Sequence, residues 1–72
     1  MIFYLFIDGF YRVTNDRNEI YNIIKANAGK VESIKLQIVE NDKHIATLDV
    51  LAYLKLGYEL ADIVSYNVPK NK

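Results

Sequence analysis

His44 is the only histidine in the chain, and Glu40 and Asp42 precede it in the segment Glu40-Asn-Asp-Lys43. A histidine near carboxylates is the usual starting point for acid–base chemistry, because its ordinary pKa lies near 6.5. A metal site needs three or four converging ligands, and one histidine beside turn carboxylates does not supply them. His44 is therefore read as a surface turn residue, and no metal site is expected. Asp62 lies between Ala61 and Ile63 in an apolar run. It is read as the solvent side of an edge strand, where charge discourages aggregation, rather than as a buried acid. Ser33, Ser65, Thr14 and Thr47 have no partner base in a recognisable nucleophile pattern. The three glycines are isolated, so no phosphate-cradling loop is expected. These readings predict a protein that is not an enzyme, with no catalytic residues and no cofactor.

The aromatic residues carry the stronger signal. Five of the nine fall within Met1–Val13, at Phe3, Tyr4, Phe6, Phe10 and Tyr11. Ile2 to Ile7 is short, apolar and aromatic, which predicts a strand. Alternation puts Phe3, Leu5 and Ile7 on one face, with Ile2, Tyr4 and Phe6 on the other. Asp8-Gly9 is a strong two-residue hairpin signal and would fold Phe10–Val13 back on this strand. The alternative is that those residues run directly into a helix.

That helix is expected over about residues 16 to 28. Asp16 is placed to cap it, and Glu19 is three residues further on, as in a capping box. Ile20, Ile23, Ile24 and Ala28 recur at helical spacing and read as a core stripe. Gly29 is the expected left-handed terminator. Val31 to Val39 alternates as a strand, with Ile34, Leu36 and Ile38 on one face. Glu40–Lys43 reads as a turn and His44–Leu48 as the returning strand. Asp49 can cap a short helix that carries Leu51, Tyr53 and Leu54 and ends at Gly57. Tyr58–Val68 is read as a last strand stopped by Pro69.

The fold class expected is α+β: a small antiparallel sheet with two helices on one face, in the ferredoxin-like order β-(β)-α-β-β-α-β. Residues 1–68 would form one domain and 69–72 a disordered tail. No internal repeat is evident. Seventy-two residues make at most one small domain, and without cysteine no disulfide supplements its core. Met1–Ile7 lacks the basic start and cleavage site of a signal peptide. No run approaches the roughly 20 apolar residues of a membrane span. The default localisation is cytoplasmic. Ile, Asn, Lys and Tyr make 29 of the 72 residues, and their A/T-rich codons fit a low-GC bacterial or phage gene.

Leu5-Phe-Ile-Asp-Gly-Phe10 resembles the first short signature of RNA recognition motif domains, and the order of elements is similar. The resemblance implies that Phe6 would stack a base. The companion signature would fall on Lys43-His-Ile-Ala-Thr-Leu-Asp-Val50. Lys43, Ala46 and Leu48 agree with it. Ile45 and Thr47 replace its two stacking aromatics, and His44 replaces its glycine. Net charge is also zero, nine basic against nine acidic residues, whereas phosphate binding usually needs a basic stripe.

The expectation drawn from these residues is a small non-enzymatic protein-interaction module. It would bind another protein, or a second copy of itself, through an open aromatic sheet face. Its anchors would be Tyr4, Phe6, Tyr11 and Ile45, and its role regulatory or inhibitory. The alternative is a single-stranded RNA or DNA binder that uses Phe6, Lys35 and Lys43, with Tyr4 beside them.

Overall fold

The computed structural model describes residues 1–69. Two hairpins build a four-stranded antiparallel sheet in the order β2-β1-β3-β4, with β1 Ile2–Ile7, β2 Phe10–Thr14, β3 Ile34–Glu40 and β4 Lys43–Asp49. Helix α1, Arg17–Asn27, connects the hairpins. Helices α2, Val50–Lys55, and α3, Leu60–Val64, follow β4. The α+β class and the antiparallel sheet are as expected.

Both hairpins turn on two residues with positive φ, Asp8 and Gly9 in the first and Asn41 and Asp42 in the second. Such turns match the right-handed twist of the flanking strands. Asp8-Gly9 is thus a hairpin turn. Asp8 also accepts backbone N–H groups from Glu32 and Ser33, both at 3.0 Å, and so ties the first turn to the segment entering β3. Asp8→Ala loses both bonds and places a less tolerant residue in the left-handed region. The expected cost is about 1–3 kcal/mol in urea unfolding, with Asp8→Asn well below it. Equal losses in the two variants would contradict this role.

Asp16 caps α1 by accepting from the backbone N–H groups of Asn18 and Glu19. Glu19 does not close a capping box. Its carboxylate accepts from Thr14 Oγ1 at 2.7 Å and pairs with Arg12, stapling α1 to β2. Gly29 is not left-handed; α1 ends at Ala28, whose N–H donates to Ile24. At α2, Asp49 caps by accepting from Ala52 N–H, and Gly57 supplies the left-handed residue at its end.

The segment Tyr58–Val68 forms no strand. Leu60–Val64 is the short helix α3, Asp62 lies in its first turn, and Val68 is buried beyond it. Leu60, Ile63 and Val64 are three and four residues apart, the spacing of one helical face. The ferredoxin-like order is consequently not the one observed. The helix crossover sets β3 directly beside β1 and antiparallel to it, and no strand follows α2 among the described residues. The expected tail begins at Pro69, whose carbonyl accepts from Tyr53 Oη at 2.7 Å. Residues 70–72 lie outside the described residues.

Although no repeat is evident in the sequence, the fold is two hairpin–helix units in tandem. Asp49 caps α2 as Asp16 caps α1, 33 positions earlier. At the same offset the Asp8-Gly9 turn matches Asn41-Asp42, and buried Phe3, Leu5 and Ile20 match buried Leu36, Ile38 and Tyr53. With β1 and β3 as the central antiparallel pair, an approximate two-fold axis relates the two hairpins, while α1 is longer than α2 and α3 has no counterpart in the first unit.

The core lies on one side of the sheet. Phe3, Leu5, Ile7, Ile34, Leu36, Ile38, Ala46 and Leu48 pack against Ile20, Ile24, Val50, Tyr53, Ile63 and Val64 from the helices. Among the described residues no polar or charged side chain is buried. The other side of the sheet carries no helix among the described residues that contributes to this cluster.

Candidate functional site: the open sheet face

Strand alternation and register determine what the open face displays. Phe6 is opposite Tyr11 on β2 and Lys35 on β3. Tyr4 is opposite Val13 and Gln37. Their strand neighbours Phe3, Leu5 and Ile7 point into the core, so the face bears Tyr4, Phe6, Tyr11 and Val13, with Ile2 at one end. Phe6 is 40% exposed and Tyr11 52% exposed. Large apolar side chains at that exposure, grouped on one face, are typical of interaction surfaces rather than scattered surface residues.

The aromatics form one cluster. The rings of Phe6 and Tyr11 lie 4.9 Å apart at 40°, and those of Tyr4 and Tyr11 6.3 Å apart at 36°. Both distances are in the range of attractive ring pairs. The cluster is therefore partly preorganised, and a ligand would meet ring faces and edges already packed on one another.

Of the four expected anchors, Tyr4, Phe6 and Tyr11 come together. Ile45 is exposed on β4 and is separated from them by the whole of β3. It lies at a bulge, where the β3–β4 register slips between Ile38 and Val39, so that Ala46 pairs with Ile38 and His44 with Val39. Val13, half-exposed and opposite Tyr4, joins the cluster instead. Reading the alternation through the Asp8-Gly9 turn would have identified it. Phe10 is opposite Ile7 on the helix side, so it is not part of the aromatic face.

The polar candidates are also placed. Lys35 pairs with Asp49 and Lys43 with Glu40 across β3 and β4. Each lysine of the nucleic-acid alternative thus has a carboxylate-bearing residue directly opposite, which offsets its attraction for phosphate. His44 Nε2 is 2.7 Å from Thr47 Oγ1 and exposed. Asp62 accepts from Asn67 Nδ2, beyond the end of α3, at 3.5 Å. Among the described residues no group of three or more His, Asp or Glu is arranged to hold a metal.

On the helix side, an open groove of about 520 Å³ runs between Ile7, Asp8, Phe10, Ile23, Asn27 and Val31. Its polar groups already have partners. Asp8 holds Glu32 and Ser33, and Asn27 Nδ2 donates to the Ile23 carbonyl at 2.7 Å. Among the described residues nothing polar converges there on a ligand.

The titratable group with a clear perturbation lies on the helix side of β2, in the first turn of α1. The Thr14 hydroxyl, with the Arg12 guanidinium beside it, holds the Glu19 carboxyl below its ordinary value of 4.5. A carboxyl whose folded pKa is depressed stabilises the fold above its unfolded pKa. That contribution is lost as pH falls through the depressed value. An NMR titration should place the Glu19 midpoint below 4.5, and Thr14→Val should raise it. A wild-type midpoint at or above 4.5 would show that the staple between α1 and β2 is not formed in solution.

Comparison with known proteins finds no matching family, no matching curated relative and no matching solved structure. No helix among the described residues is long and apolar enough to cross a membrane.

Proposed function

We propose that the chain is a small non-enzymatic protein-interaction module that binds through its open sheet face. The observation supporting this reading most directly is the preformed Tyr4–Phe6–Tyr11 cluster with Val13 beside it, on a face that no helix among the described residues covers. Tyr and Phe are common anchors of protein interfaces, because they bury large area at small conformational cost. A regulatory or inhibitory role in the cytoplasm of a low-GC bacterium, or on behalf of its phage, suits a chain that offers a surface without reaction chemistry.

The nucleic-acid alternative draws on the same Phe6, with Lys35 as its neighbour in register. It is the weaker reading for two reasons. The face has one ring cluster where tracking a strand needs successive stacking platforms, and Lys35 and Lys43 are opposed by Asp49 and Glu40.

The test is Phe6→Asp. Phe6 points away from the core, so the variant should keep its far-UV circular dichroism, at a cost of about 1–3 kcal/mol for the lost ring contact with Tyr11, the half-buried ring area and the poor strand preference of Asp. A carboxylate in the middle of an interface should weaken capture of a protein partner at least ~30-fold, the effect of removing an anchor worth about 2 kcal/mol. A folded variant that captures its partner normally would remove the face from consideration.

A further inference from the structure

The sheet has two edges, and they are built differently. Strand β4 carries the bulge opposite Ile38 and Val39, has Lys43 and His44 at one end, and passes directly into α2 at the other. Bulges and charges of this kind blunt an edge against pairing. Strand β2, Phe-Tyr-Arg-Val-Thr, has no bulge, no proline and a single charge, Arg12, which is matched within the chain by Glu19.

The register states which backbone groups this edge offers. Ile7 and Phe10 close the two-residue turn as a hydrogen-bonded pair, and such pairs alternate along an antiparallel ladder. Arg12 and Thr14 therefore bond to β1, whereas Tyr11 and Val13 direct their N–H and C=O groups outward. Among the described residues no loop or helix backbone bonds to them.

Resting on the association role proposed above, we propose that the occupant of the β2 edge is a second copy of this chain, paired strand to strand across a two-fold axis at Arg12. In that register Tyr11 of each copy exchanges both backbone hydrogen bonds with Val13 of the other. All five residues of each β2 overlap, and the two sheets become one of eight strands. Tyr11 packs beside Val13 across the junction, an aromatic–β-branched pair of the favourable kind. The aromatic clusters of the two copies merge into one continuous face. On the helix side, Arg12 meets its symmetry mate. Each guanidinium already has a Glu19 carboxylate, so the junction brings together two cations and two anions with no net charge.

Sedimentation velocity at about 100 μM protein tests this, in the range where a micromolar dimer is populated. The wild type should sediment at twice its 8.3 kDa. Val13→Pro removes an outward N–H without breaking a bond to β1, and should sediment as a monomer with its circular dichroism retained. Glu19→Gln leaves two unmatched arginines face to face. It should raise the dimer Kd at least ~5-fold at low salt and recover part of that loss at high salt, as a screened repulsion does. A monomeric wild type would overturn the proposal while leaving the Phe6 face open to another protein. A dimer that survives Val13→Pro but not Phe6→Asp would overturn it too, in favour of face-to-face association.

Discussion

Phe3→Ala should leave the chain largely unable to hold its fold. Phe3 sits on central strand β1 between Thr14 of β2 and Ile38 of β3, is fully enclosed, and carries the Arg17 guanidinium over its outer ring face at 5.5 Å. Removing a buried phenyl ring costs about 3–5 kcal/mol, from lost transfer free energy and the cavity left behind. A 72-residue domain has a total stability of only about 4–11 kcal/mol, at 0.05–0.15 kcal/mol per residue, and no disulfide to fall back on. Urea unfolding should show a midpoint lowered by more than 1 M, or no native baseline at all, for a typical m of about 1–3 kcal/mol/M. A loss below about 1 kcal/mol would mean that Phe3 is not in the core, and with it the assignment of Tyr4 and Phe6 to the opposite face would fail.

The second large effect separates a helix from a strand at the C-terminal end. Ile63 and Val64 are adjacent in sequence, and both are buried, at 0% and 2% exposure. A strand cannot achieve this against a one-sided core, because successive side chains point to opposite faces. A helix can, since neighbours on one broad stripe both face inward, and Leu60 one turn earlier extends that stripe. Ile63→Ala should therefore cost about 2–5 kcal/mol. Val64→Ala should cost about 1.5–3 kcal/mol for its smaller buried side chain. Asp62→Ala, half-buried in the first turn with its carboxylate accepting from Asn67 Nδ2, should cost about 1 kcal/mol or less. A large loss at only one of Ile63 and Val64, alternating with the flanking positions, would favour an extended segment.

The elements legible in the sequence are those where local chemistry and long-range packing agree. Asp16 and Asp49 cap because a carboxylate before an apolar periodic run has the adjacent N–H groups to satisfy. Asp8-Gly9 turns because both residues tolerate positive φ. The alternation of Phe3, Leu5 and Ile7 with Tyr4 and Phe6 separated core from surface without reference to any other strand. Tyr58–Val68 went the other way. Its β-branched and aromatic residues suggest a strand, but with Gly57 behind it and α1 beside it, the segment gains more by burying Ile63 and Val64 together than by extending. The topology was not legible either. Nothing local specifies that β3 pairs with β1, so the order β2-β1-β3-β4 and the tandem hairpin–helix units emerge only from the assembled sheet. For the same reason the cluster at Tyr4, Phe6 and Tyr11 could be anticipated, whereas the separation of Ile45 from it depends on sheet order and on a bulge that no single strand announces.

The most direct measurement is an affinity pull-down of the tagged chain from lysate of a low-GC bacterium, run in parallel for wild type and Phe6→Asp, with and without nuclease. An interaction module that works through the aromatic face should retain a stoichiometric protein after nuclease treatment, and Phe6→Asp should lose it. Recovery of nucleic acid that disappears on digestion, together with everything bound alongside it, would contradict the protein-binding role and assign Phe6 to a stacked base.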